Sequence, residues 1–157
     1  MRILITGVNG YIGNALMGHL AGQGHKIVGT TRKELNLLDL GDLRRFEGIQ
    51  RIYLCAARTR FIDCERDPEA YRINVDAQIS LAEHFKNVVY LSSEAVESAL
   101  HTAYGQHKAL AEVGLRAVCK PVIARICAKV TEERLTGLCH WLGQLKDANP
   151  GVHRWTI

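Results

Sequence analysis

No stretch of this chain is long and apolar enough to span a bilayer, and the apolar run after Arg2 is too short for the core of a secretory signal. No C-x-x-C occurs, and the five cysteines (Cys55, Cys64, Cys119, Cys127 and Cys139) are odd in number. They read as small apolar core residues, and a reducing cytoplasm is the expected location. The basic residues form no long run, and the formal charge is only +4. Nucleic acid and membrane surfaces are therefore not expected partners. His84, His101, His107 and His140 show no metal-ligand spacing. They read as surface or loop residues, and no metal is expected. Internal repeats and low-complexity linkers are also missing. What remains is a chain of 157 residues, 47% hydrophobic, the size of one domain with a buried core.

Short apolar runs alternate with longer helical patterns. Ile3-Leu4-Ile5, Lys26 to Thr30, Arg51 to Cys55, Asn87 to Leu91 and Pro121 to Ile126 read as strands, with Val152 to Ile157 as one more. Helices are expected over about Ile12 to Ala21, Asp39 to Phe46, Asp67 to Phe85 and Tyr104 to Val118. Asp67-Pro68-Glu69 supplies an N-cap acid, a proline in the first turn and an early acid. Thr131 should cap a last helix, whose stripe of Leu135, Leu138, Cys139, Leu142 and Leu145 fits helical spacing. Strands alternating with helices predict a Rossmann-like, doubly wound parallel α/β sheet in a single domain over 1–157.

Gly7, Gly10 and Gly13 stand three apart between the first strand and its helix. Helix N-termini carry free N–H groups and partial positive charge, so this loop is placed to hold phosphate. Gly7 would allow the tight turn, Gly10 the approach of a pyrophosphate, and Gly13 close packing of helix on strand. A plain strand-to-helix turn would use glycines in the same way, so the downstream residues decide.

Thr6-Gly7-Val8-Asn9-Gly10-Tyr11-Ile12-Gly13 resembles the nucleotide loop of the short-chain dehydrogenase/reductase superfamily, in the wording of its extended, nucleotide-sugar branch. That resemblance makes Gly7, Asn9, Gly10, Tyr11, Ile12 and Gly13 candidate cofactor residues. After the second strand, Arg32 and Lys33 stand where an NAD site usually offers an acid, and cations suit the 2′-phosphate of NADP. Arg32 to Asp39 resembles the adenosine-lining segment of the GDP-fucose synthases, which implies roles for Arg32, Asn36, Leu37 and Asp39. The segment from Cys55 to Asn74 resembles the dTDP-4-dehydrorhamnose reductases. Cys55, Ala56 and Ala57 would be the small-residue strand end against the cofactor, and Asn74 would support the active site from behind. NADP(H) is thus expected over NAD(H).

Ser92 and Ser93 end a strand where ligands bind in open α/β sheets, and Tyr104 and Lys108 lie four apart on one helix face. A free phenol has a pKa of about 10, and a nearby ammonium can lower it by about 1–3 units. Tyr104 would then exchange a proton with a carbonyl as hydride moves. Matching the valine of SSEAV to the family pattern selects Ser93 over Ser92, and Tyr104 and Lys108 are also cofactor-binding candidates, Lys108 bonding the nicotinamide ribose. The catalytic candidates are Ser93, Tyr104 and Lys108.

The chain also departs from the family. Only ten residues separate Ser93 from Tyr104, the glycine-proline turn expected after Arg125 is missing, and the family's substrate-binding part is expected to be short or absent. The first expectation is an NADP-dependent reductase of a carbonyl substrate, on resemblance a nucleotide sugar. Epimerase or dehydratase chemistry stays open, because the same triad serves those reactions. So do a non-catalytic dinucleotide sensor, a subunit completed by a partner or a second copy, and a fragment of a longer enzyme.

Overall fold

In this computed structural model, residues 1–127 and 130–156 are described. The chain runs β1 (Arg2–Thr6), α1 (Tyr11–Gly22), β2 (Lys26–Thr30), β3 (Arg51–Leu54), α2 (Phe61–Arg66), α3 (Glu69–Tyr71), α4 (Ala77–Phe85), β4 (Val88–Ser93), α5 (Ala95–Ser98), α6 (Ala103–Val118), β5 (Val122–Ile126), α7 (Glu132–Gln144) and β6 (Gly151–Trp155). The strands form one parallel sheet in the order β2-β1-β3-β4-β5-β6. Crossover helices must then cover both faces, so the central strands are buried on both sides and read as unbroken apolar runs. Ile3, Leu4, Ile5, Ile52, Tyr53, Val89 and Ile123 are all fully buried.

One core layer packs Leu16 and Leu20 of α1 and Leu138, Cys139 and Leu142 of α7 against the sheet. The other packs Leu81 and Ala82 of α4 and Ala111 and Leu115 of α6 on the opposite face. The sheet is doubly wound, as expected. From β1 the chain steps to β2 on one side and then to β3 on the other. The switch point therefore lies at β1, and its carboxyl edge is where such sheets bind ligands.

Four local expectations change. The helix predicted from Asp39 to Phe46 is only a 3-10 turn over Leu43–Phe46, capped by Asp42, whose Oδ1 accepts from Arg44 N at 2.9 Å. Before it, Asn36 and Asp39 pair across a turn, and Gly41 has φ +59°, which a helix cannot continue through. The helix predicted from Asp67 to Phe85 holds a π-helical segment, Arg72–Asp76, between α3 and α4. Asp67 does cap its start, with Oδ1 accepting from Glu69 N at 2.9 Å. The short helices α2 and α5 were not expected. Thr131 precedes α7 but caps it only through its backbone carbonyl, which accepts from Arg134 and Leu135. Ile157, placed in the last strand by the sequence, lies outside the described residues. All five cysteines are free thiols, with Cys64 and Cys139 buried and the others partly so. No helix among the described residues is long and apolar enough to cross a membrane.

Candidate active site

The glycine loop is built by close approach. Gly7 has φ +71°, a conformation other residues rarely adopt. Its N–H and that of Val8 both donate to Thr30 O, which ties the loop to the end of β2. Gly13 packs directly on the Gly7 carbonyl, and a side chain there would collide with that backbone oxygen. Gly18 of the same helix has open space around it. Gly18→Ala is therefore expected to stabilise the fold by about 0.5–1 kcal/mol through helix propensity, whereas Gly13→Ala should destabilise it by about 1–3 kcal/mol through overpacking. Urea unfolding of the pair checks the contrast, and equal shifts of the same sign would contradict it.

The N-terminus of α1 has no side-chain cap and no acid in its first turn. The loop that leads into it borders a cavity of about 300 Å³, whose lining includes Gly7, Asn9, Arg32, Asn36, Leu37, Ala56, Ala57 and Arg58. Arg32 and Lys33 are exposed and share a second, shallower depression with Asn9. Thr6 holds the far wall, its Oγ1 accepting from Cys55 N at 3.0 Å and Ala56 N at 3.1 Å. A volume of this size is at the lower end for a small-molecule site. An uncapped helix end beside two cations suits a phosphate-bearing nucleotide.

The loop and strand-end candidates divide by position. Gly7, Asn9, Arg32, Asn36, Leu37, Ala56 and Ala57 come together in the groove. Gly10 caps α1, while Ile12 and Cys55 pack against the core layer beneath it. Tyr11 is 47% exposed, and Asp39 is exposed across the turn from Asn36, outside the groove lining.

Ser93, Tyr104 and Lys108 gather two strands along from β1, at the carboxyl end of β4. Ser92 is committed elsewhere, because its Oγ donates to Glu112 Oε1 at 2.7 Å. Ser93 Oγ accepts from Ala95 N at 3.2 Å, and the serine hydroxyl neighbours the Tyr104 phenol. Tyr104 sits in the first turn of α6, which is capped by Thr102, whose Oγ1 accepts from Gly105 N. Glu65 of α2 accepts from Ala103 N at 2.7 Å, and Phe61 stacks on the Tyr104 ring at 5.3 Å. The unexpected helix α2 is thus a clamp that roofs the phenol.

Electrostatics correct one expectation. Tyr104 was expected to be made more acidic by Lys108. Instead burial pushes its pKa up, opposed by the neighbouring Ser93 hydroxyl. Lys108 Nζ donates to Leu91 O at 2.7 Å and lies 4.7 Å from the Tyr90 ring centroid and 5.9 Å from that of Tyr104. Burial lowers its pKa from 10.5 to about 8. A cation whose folded pKa is depressed carries its burial cost in full below about pH 8, and sheds it as pH rises toward 10.5. Lys108→Met should therefore be more stable than the parent at neutral pH, with an advantage that shrinks between pH 8 and 10.5. Denaturant unfolding across that range measures it, and a difference independent of pH would contradict the assignment.

Asn74 lies in the π-helical segment, a local form frequent at functional sites. Its Oδ1 accepts from Arg58 N at 2.8 Å and its Nδ2 donates to Arg58 O at 2.9 Å. His107, expected at the surface, is buried, with Nδ1 3.5 Å from Asn74 Nδ2. The reason is helical spacing: residue 107 shares the inward face of α6 with Tyr104, Lys108 and Ala111. No group of three or more metal-ligating side chains occurs among the described residues.

Sequence reasoning missed an ion network behind the serines. Arg125 donates to both Glu112 oxygens, from Nε at 2.8 Å and Nη2 at 2.7 Å, and also to Glu97, which takes Arg154 of β6 as well. Burial opposes ionisation of Glu112, but the bonds from Arg125 and Ser92 hold its carboxyl below the usual range. The signal was present in the spacing, since Glu112 follows Tyr104 and Lys108 at four-residue steps on one helix face.

Comparison with known proteins joins this geometry to a lineage. The dTDP-4-dehydrorhamnose reductase of Mycolicibacterium smegmatis is 32% identical over 83 residues, which are 52% of this chain and 25% of that protein. The match therefore spans about a quarter of that relative's length. The solved dTDP-4-dehydrorhamnose reductase of Bacillus anthracis, in complex with NADP, superposes with a TM-score of 0.86 at 18% identity, over 99% of this chain and 74% of that one. Its counterpart from Clostridium acetobutylicum gives 0.84 at 20% identity with the same coverage. At these identities the structural likeness carries the fold. The sequence profile of the RmlD substrate binding domain matches residues 1–133, from β1 into the first turn of α7. With both site clusters inside that matched span, the chain belongs to the RmlD substrate-binding domain family.

Proposed function

We propose that residues 1–157 form a nicotinamide-dinucleotide domain that prefers NADP(H) and serves the reduction of a carbonyl on a nucleotide sugar. The observation that carries this reading is the shared sheet edge. The uncapped loop with Arg32 lies at β1 and β2, and the Ser93–Tyr104–Lys108 cluster lies at β4. From β2 to β4 is about 14 Å at roughly 4.8 Å per strand, a span suited to two nucleosides joined by a pyrophosphate. Gly7, Asn9 and Gly10 would hold the pyrophosphate, and Arg32 and Lys33 the 2′-phosphate.

Bound nicotinamide supplies the hydride, which must reach the carbonyl carbon as a proton reaches its oxygen. Tyr104 holds that proton. Burial keeps the phenol in its neutral, proton-bearing form, the form that can donate to a carbonyl oxygen. Ser93 orients the carbonyl oxygen, and the Lys108 ammonium steadies the phenolate left behind.

Calorimetric titration with NADP and NAD tests the cofactor assignment. NADP should bind at least tenfold tighter, because one charge-assisted phosphate contact contributes about 1.5–3 kcal/mol. Arg32→Gln should remove that preference. Equal affinities in the parent chain would overturn it.

A further inference from the structure

We propose that Arg58 is a second cofactor cation, holding the pyrophosphate common to NAD and NADP from the side opposite Arg32 and Lys33. This rests on the dinucleotide reading above. The sheet order places β2 and β3 on either side of β1. Arg32 follows β2 and Arg58 follows β3, so the two cations flank the glycine loop that follows β1. The β3 exit runs hard against that loop: a side chain on Gly7 would meet Ala56 Cα and Cβ at 3.0 Å. Both arginines line the same cavity.

The backbone of Arg58 is held more firmly than a surface loop needs. Asn74, only 1% exposed, bonds both its N–H and its carbonyl, and Cys64 Sγ donates to the same carbonyl at 3.4 Å. The guanidinium is less engaged. Its salt-bridge partner is Asp67, with Nη2 to Oδ2 at 3.9 Å, the outer limit of an ion pair. Arg125, by contrast, grips Glu112 through two bonds. A rigid backbone presenting a weakly neutralised planar fork to a groove is an arrangement for phosphate oxygens. The competing explanation is a staple, in which Arg58 only tethers its loop to Asp67. Such a half-exposed pair adds little to stability and would leave nucleotide affinity unchanged.

The test is calorimetry of the full chain and its variants with NADP and NAD, beside thermal melts. Arg58→Gln should weaken both nucleotides by about tenfold or more, and Arg58→Lys should recover part of the loss. Arg58→Gln binding both like the parent would overturn the proposal. So would loss of NADP affinity alone, which would move Arg58 to the 2′-phosphate. Asp67→Asn keeps Arg58 and the cap on Glu69 while removing the competing charge. It should tighten both nucleotides about two- to threefold, and unchanged or weaker binding would count against the proposal even if Arg58→Gln failed to fold. A parent chain that binds neither nucleotide would overturn the dinucleotide reading itself.

Discussion

Replacing Tyr104 by phenylalanine should lower NADPH-dependent carbonyl reduction by about 100-fold or more, the usual contribution of a positioned proton donor. The change deletes one oxygen and keeps the ring that Phe61 stacks on and Ser93 adjoins. The melting temperature should therefore hold, and NADP affinity should fall only by the one ribose contact of the hydroxyl, since the groove at β1 and β2 is untouched. The measurement is steady-state turnover across a panel of keto-sugar nucleotides and simple ketones, paired with calorimetry. Unchanged turnover in Tyr104→Phe would show that another group delivers the proton. Tight NADP binding with no turnover by the parent chain would favour the binding-module alternative.

The largest stability effect belongs to Arg125. Its fork satisfies Glu112, whose side chain is 2% exposed, and Glu112 in turn fixes Ser92. Arg125→Met leaves the buried carboxylate only the half-exposed Arg116, 3.3 Å from Oε2, and the Ser92 hydroxyl, so the loss should approach the cost of about 3–5 kcal/mol for breaking a buried pair. Replacing both together, as Arg125→Met with Glu112→Leu, should recover most of that loss, because apolar pairs often match buried ion pairs. The pH dependence has a definite sign. Glu112 is held below its ordinary 4.5, so its contribution is complete above that value and is lost as pH falls through the folded value. In Arg125→Met the carboxyl should shift upward, so the deficit relative to the parent narrows on acidification. A deficit that is flat with pH, or a double variant no better than the single, would contradict the network.

The central strands were legible because parallel strands buried on both faces are short unbroken apolar runs. Lys26–Thr30 matches its predicted span, and β1, β3, β4 and β5 fall within two residues of theirs. The segments that differed are held by contacts between elements rather than by local propensity. Helix α2 exists because Glu65 caps α6 and Phe61 covers Tyr104. The π turn coincides with the place where Asn74 reaches both polar groups of Arg58. Positions of site residues followed from the motif order, but their electrostatics did not. Whether Lys108 acidifies Tyr104 depends on burial and on the competing carbonyl of Leu91, and neither can be read from a Y-x-x-x-K spacing.

A crystal structure grown with NADP tests the shared-edge site most directly. The expected density runs along one sheet edge, with the 2′-phosphate at Arg32 and Lys33 and the pyrophosphate over Gly7 to Gly13. The nicotinamide ribose should lie within hydrogen-bonding reach of Tyr104 and Lys108. A dinucleotide bound elsewhere, or one whose nicotinamide end points away from Tyr104, would contradict it.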